Sequence, residues 1–289
     1  MSINKISDDN PAFPKLLKEI PCPPAALYYK GSFPIDQPSV AIVGTRRATM
    51  AGKEIAKKLA YGLSKNDLVI VSGLAIGIDT SAHEGAVEAG GKTIAVLACG
   101  LDRIYPAQNS SLSKEILELG GAIVSEYPAG TDSFPKNFIE RNRIISGMSL
   151  GVIVVEAPEK SGALATVRFA VEQNRDVFVV PGQIDHPNYV GSHALIKSGA
   201  ALVTDVKDVL DSLNIAVKPE GKNPETKSAD LNEVESKLVA ALTESGRPLN
   251  VDKISQLMQI DSSEASRLLT FLLIKGIIKE SGGKYYLCS

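Results

Sequence analysis

The sequence predicts an α/β protein: a doubly wound, mostly parallel sheet of extended Rossmann-like build, followed by a small winged-helix-like domain. Three observations carry this. From Ser39 to about Leu213, short β-branched runs alternate with amphipathic stretches, the rhythm of parallel strands joined by crossover helices. Most of these runs are apolar at every position, as strands covered on both faces require. Small-residue loops follow several of the runs, at the ends of strands where open α/β sheets bind ligands.

Taken in order, residues 1–38 carry Pro11, Pro14, Pro21, Pro23, Pro24, Pro34 and Pro38, too much punctuation for a regular domain, and read as an extension packed on the core. Residues 39–213 form the main domain. Its candidate strands are Val40–Val43, Leu68–Ser72, Thr93–Leu97, Ala122–Ser125, Gly151–Val155, Asp176–Val180 and Ala201–Thr204. Between the first two, Gly52–Leu63 places Ile55, Leu59 and Leu63 on one helical face. Residues 214–230, with Pro219, Gly221 and Pro224 among Lys and Glu, read as a linker. In 231–289 the spacing predicts helices near Glu233–Glu244, Val251–Gln259 and Ser262–Lys275, then a hairpin over Ile277–Leu287 around Gly282-Gly283. That order resembles a winged helix.

Composition bounds the function. The 289 residues are 44% apolar, ample for a core, and the net charge of −2 argues against a uniformly basic nucleic-acid binder. Any DNA site must therefore be a local patch. Met1–Asn10 is polar and no run of 18 uncharged apolar residues occurs, so neither secretion nor a membrane span is expected and a cytoplasmic location is. Cys22, Cys99 and Cys288 lie far apart without a CxxC pair and read as three small buried hydrophobes.

After the first strand, Gly44-Thr45-Arg46-Arg47-Ala48-Thr49 brings backbone amides and a helix N-terminus to a place where an anion would bind. GxGxxG is absent, the second strand ends in Ser72-Gly73 without an acidic residue, and GxxxxGK[ST] is absent too, so neither NAD nor ATP is expected. The paired arginines suit a nucleic-acid backbone; solvated side chains or surface ion pairs are the other reading.

The glycines of Ser72–Gly85 allow close approach of a phosphate or of a neighbouring loop, with Gly73 as the candidate contact. Asp79 and His83 share one helical face, but His186 and His193 lie elsewhere, so the pair reads as a helix cap and a packed histidine, and no metal is expected. The segment Phe134–Gly147 combines Lys136, Arg141 and Arg143 with Phe134 and Phe138. Cations that hold phosphates beside a ring that stacks a base are how single strands are bound. The competing reading makes the phenylalanines core and Arg141 an ion pair. Ser161-Gly162-Ala163 opens another helix, a further anion seat. His193 and Lys197 are placed at the border of the same cleft, Lys197 being equally readable as a solvated helix residue.

Taken together these loops resemble the DprA/Smf family over about Pro11 to Leu210. The matching stretches are Ala41–Arg46, Val71–Asp79 with Ala82-His83, Ala95–Leu97 leading through Gly100–Asp102 to Tyr105-Pro106, Arg141–Ile145, and Val155–Ala157 with Ser161-Gly162 and Val180–Gly182. The resemblance implies single-stranded DNA binding without catalysis, homodimerisation, protection of incoming DNA during natural transformation, and loading of the recombinase RecA. Carried over by motif, the expected DNA contacts are Arg46, Lys136, Phe138, Arg141, Arg143, Ser161 and Gly162; the reading of the loops and the cleft border adds Thr45, Arg47, Gly73, Asn142 and Lys197.

An alternative is a nucleotide sensor or a phosphoribohydrolase-like enzyme using the same cleft. Such enzymes carry Gly-Gly-x-Gly-Thr-x-x-Glu; here Phe169 stands three residues after Thr166, where general acid/base work needs a carboxylate, and Glu172 lies nearly two turns along.

Overall fold

The computed structural model describes residues 2–33, 37–217, 233–245, 248–275 and 277–287. Two compact units result, Met1–Lys218 and Pro219–Ser289. The first opens with β1 (Asn4–Ser7), α1 (Lys15–Lys18) and β2 (Ala26–Gly31). Next come β3 (Ser39–Val43), α2 (Met50–Lys65), β4 (Val69–Ser72), α3 (Ile78–Glu88), β5 (Thr93–Leu97), α4 (Ser110–Glu118) and β6 (Ala122–Ser125). The chain continues through α5 (Pro135–Gly147), β7 (Gly151–Val154), α6 (Gly162–Glu172), β8 (Asp176–Val179), α7 (Val190–Lys197), β9 (Ala201–Leu202) and α8 (Val206–Ser212).

These strands form one sheet in the order β1-β2-β6-β5-β4-β3-β7-β8-β9. From β6 to β9 every pairing is parallel. The chain winds outward from β3 to β6, then returns beside β3 to lay down β7. The β3/β7 boundary is thus the topological switch point, where the loops leaving two adjacent strands diverge to opposite faces and open a crevice.

Alternation within the strands builds a core on each side. Val40, Ile42, Ile70, Ile153 and Phe178 meet Leu59 and Leu63 of α2, and Ala82 of α3. Ala41, Val71, Val96, Val124, Val152 and Val154 meet Ile144 and Ile145 of α5, and Val167 and Ala170 of α6.

The N-terminal extension does more than pack on this core. Phe13, Leu17 and Ile20 do join the α5 side, but β2 pairs antiparallel with β6 and β1 with β2, extending the sheet by two strands. The prolines are compatible with this because none lies inside β1 or β2; Pro14 caps α1 and the others among the described residues fall in connections. Pro34 lies outside the described residues. At the opposite edge β9 is only two residues long, where the sequence suggested four. Thr204 and Asp205 instead enter the start of α8: the Thr204 amide donates to Asp208 Oδ2 at 2.7 Å and Asp205 caps the Asp208 amide at 3.0 Å. Of the cysteines, Cys99 is buried but Cys22 is exposed, against expectation; Cys288 lies outside the described residues.

The second unit contains α9 (Glu233–Ser245), β10 (Leu249–Asn250), α10 (Val251–Met258), α11 (Ser262–Ile274), β11 (Ile278–Ser281) and β12 (Lys284–Leu287). Its strands pair antiparallel in the order β10-β12-β11 over a core that includes Leu238, Leu242, Ile254, Leu269 and Leu272. Most of 214–230 falls outside the described residues. Among the described residues no helix is long and apolar enough to cross a membrane.

Candidate functional site

A cleft of about 590 Å³ opens at the switch point, between the loop after β3 and the loop after β7, with α5 as its third wall. Its lining includes Thr45, Arg46, Arg47, Phe138, Arg141, Asn142, Ser161 and Gly162, so eight of the twelve expected contacts converge there.

The β3 loop is held by its backbone. The Thr45 amide donates to the Glu156 carbonyl at 2.8 Å, and Thr45 Oγ1 accepts the Arg47 amide at 3.2 Å. Gly77 lets the next loop close against it: its φ is +90°, and a Cβ there would stand 2.4 Å from the Thr45 carbonyl oxygen. Arg46 and Arg47 are left exposed, and among the described residues neither makes a salt bridge. Arg46 lies over the Phe138 ring, 4.8 Å from guanidinium carbon to centroid. The anion seat at the start of α2 is not free, however. The chain's own Glu156 carboxylate accepts the Thr49 amide there at 3.1 Å.

Helix α5 sorts the cations of Phe134–Gly147 by phase. Residues 138, 141, 142 and 145 share a face at helical spacing and line the cleft. Arg143, two residues and so about 200° beyond Arg141 around the helix axis, points to another face. There it forks onto both Glu126 oxygens at 2.6 Å with its side chain 16% exposed. Lys136 is almost fully solvated and pairs with Glu140 at 3.1 Å. Neither Arg143 nor Lys136 lines the cleft.

Arg141 is buried, and Nη1 donates to the Gly73 carbonyl at 2.8 Å and to the Val96 carbonyl. Burial lowers its pKa to about 10, opposed by Asp79. Gly73 supplies the room: a Cβ there would fall 2.5 Å from both terminal nitrogens. Its glycine thus serves a close approach between chain segments beneath the cleft. Asp79 does not cap its own helix; it accepts the amides of Gly73 at 3.1 Å and Ala75 at 3.4 Å, shaping the preceding loop. Burial pushes its carboxyl pKa up, against the pull of Arg141 and the two amides. His83 is a packed residue, its Nδ1 2.7 Å from Thr93 Oγ1, and burial lowers its pKa to about 3.

The remaining side of the cleft is the N-terminus of α6. Ser161 accepts the Ala163 amide at 3.3 Å, Asn142 Nδ2 donates to the Gly162 carbonyl at 3.2 Å, and nothing lies within 4 Å of where a Gly162 Cβ would stand. The Leu164 amide is likewise taken, by the Ser161 carbonyl at 3.1 Å, so what faces open space beside the arginines is Gly162 at the positive end of the α6 dipole. Glu172 ends this helix ten residues on, roughly 15 Å from Gly162, and is exposed there.

Lys197 lies at the other end of the sheet. It closes α7 just before the turn into β9, where Ser198–Ala201 border a separate cavity with Arg175 and Asp176 at the start of β8. Sequence reasoning also missed two contributors. Lys160 lines the cleft, and its signal was available as a cation directly before Ser161-Gly162. Tyr105, 44% exposed, sets its ring 5.7 Å from Phe138, a contact between segments with no local signature.

Residues 4–214 match the family described as DNA recombination-mediator protein A. The DNA processing protein DprA of Streptococcus pneumoniae is 46% identical over 206 residues, spanning 71% of this chain and 72% of that protein. Protein Smf of Synechocystis is 37% identical over 97% of this chain and 79% of its own length. The solved structure of the S. pneumoniae protein superposes with a TM-score of 0.68, at 44% identity over 72% of this chain and 74% of that one. A structure of Helicobacter pylori DNA processing protein A, described with its single-stranded DNA binding mode, gives 0.65 at 33% identity, over 73% of this chain and 95% of that one. With a matching family profile over most of the first unit, relatives of this similarity and the same fold, the chain belongs to the DNA recombination-mediator protein A family, the DprA/Smf proteins.

Proposed function

We propose that this protein binds single-stranded DNA in the switch-point cleft and acts as a recombination mediator without itself catalysing a reaction. The observation that carries the reading is the stack at the cleft mouth: Arg46 over Phe138, Tyr105 beside the same ring, and Arg141 fixed below, 6.0 Å from the ring centroid. Arg46, Arg47 and the open α6 N-terminus provide sites for phosphates, while the rings provide faces for bases. Such a site reads backbone and π-face, so base identity matters little. Within this reading the protein protects incoming DNA in the cytoplasm, loads RecA during natural transformation and works as a homodimer. The second unit serves as a winged-helix-like auxiliary module; its α11 exposes Arg267, the one cation between Ser262 and Ile274, beside the neutral Thr270.

Fluorescence anisotropy of a labelled single strand, with duplex and mononucleotide competitors, tests this. Strand-selective binding whose affinity falls by about 0.7 log units per log unit of salt for each neutralised phosphate is expected. Displacement by a mononucleotide with no single-strand affinity would replace the reading with the nucleotide sensor.

A further inference from the structure

One buried carboxylate collects bonds from separate segments beside the cleft. Glu156, fully buried just beyond β7, accepts the Thr49 amide at 3.1 Å, Thr49 Oγ1 at 2.5 Å, Asn188 Nδ2 at 2.8 Å and Tyr189 Oη at 3.2 Å. Its own carbonyl accepts the Thr45 amide at 2.8 Å. The second hydrogen of Asn188 Nδ2 reaches the Arg47 carbonyl at 3.0 Å. Gly52 is shaped to this group, since a Cβ there would lie 2.3 Å from Glu156 Oε1. The segment Thr45–Thr49 is therefore tied at both ends to Glu156 and at its middle to Asn188.

We infer that Glu156 and Asn188 form a latch that positions Arg46 and Arg47 for the DNA backbone. The inference rests on the single-stranded DNA reading for its consequence, though the latch itself is a claim about the chain. A negative charge beside a phosphate-binding cleft opposes binding through space. Four donors and the α2 dipole stabilise it where it lies, and what it supplies in return is the fixed course of the arginine loop. Electrostatics and positioning thus predict opposite signs. Removing the carboxylate as a mere charge tightens DNA binding; removing it as a latch weakens it.

The test compares wild type with Glu156→Gln, which keeps the shape but turns an amide towards donors, and with Asn188→Ala. Asn188 is only partly buried, so its variant carries the test if the Gln substitution prevents folding. Limited trypsinolysis reads the loop without DNA: cleavage after Arg46 and Arg47 is expected to accelerate several-fold in both variants at matched folded fractions. DNA anisotropy is expected to show several-fold weaker affinity, with the salt slope reduced by about 0.7 for each phosphate that the displaced arginines no longer neutralise. Unchanged cleavage, together with equal or tighter DNA binding, would overturn the latch. If wild type binds no single strand, the functional reading fails while the cleavage rates still decide the latch.

Discussion

Arg46 and Phe138 face each other across the cleft mouth, guanidinium over ring at 4.8 Å, although Arg46 lies in the loop after β3 and Phe138 lies on α5. The pairing joins a phosphate-binding cation to a base-stacking surface, and its two halves make separable predictions.

Arg46→Ala removes a solvated cation that carries no salt bridge among the described residues. Single-strand affinity should drop and the salt slope should shrink by about 0.7, the value for one phosphate, with the urea midpoint unchanged. A variant with the parent slope would take Arg46 out of the site.

Phe138→Ala should weaken single-strand binding by roughly 1–3 kcal/mol, with little change in salt slope, because stacking is not ionic. Phe138→Tyr keeps the ring and should restore most of the affinity. Equal binding by all three proteins in the same titration would mean that no base stacks there.

Arg141 and Arg143 should separate by stability. Arg141→Ala removes the donor to the Gly73 and Val96 carbonyls and leaves Asp79 without its buried counter-charge, a loss of about 3–5 kcal/mol in denaturant unfolding. Arg143→Ala breaks a partly exposed pair with Glu126, costs less and spares DNA affinity. The reverse ranking would invalidate the assignment of faces on α5.

Gly77→Ala should cost roughly 1–3 kcal/mol from backbone strain alone, since φ is +90° and the new methyl meets the Thr45 and Arg46 carbonyl oxygens. The same variant should lose DNA affinity, because the arginine loop must shift to admit it. Unfolding curves and anisotropy matching wild type would show that the two loops do not pack so closely.

His83 sets a pH signature. Its folded pKa of about 3 lies below the ordinary 6.5, so the unfolded chain takes up the proton first. The stability from keeping it neutral is complete above pH 6.5 and is lost as pH falls towards 3. Urea unfolding at about pH 7, 6 and 5 should show wild type losing up to about 1.4 kcal/mol per pH unit relative to His83→Gln. Parallel pH profiles would place His83 in contact with water.

The parallel strands were legible because β-branched runs buried on both faces leave an unambiguous pattern, and the strand-end loops carried enough small residues and cations to mark the cleft. Distances within α5 were not. Arg141 and Arg143 stand together in sequence, and only the packing of α5 against the sheet decides that one faces Gly73 while the other reaches Glu126. The N-terminal strands β1 and β2 were hidden for a related reason, being only partly buried, so that no continuous apolar run marks them, and separated by prolines. Glu156 looked like an ordinary strand-end residue because its partners Thr49 and Asn188 are 107 and 32 residues away. Tyr105 likewise reaches Phe138 from a different segment of the chain.

Photocrosslinking of a photoreactive single-stranded oligomer, followed by mass spectrometry of the tryptic peptides, tests most directly whether DNA occupies the cleft. Adducts should concentrate on peptides bearing Phe138 and Tyr105, and should fade in Arg46→Ala. Adducts confined to residues 233–287, with the cleft peptides unmodified, would contradict DNA binding at the switch point.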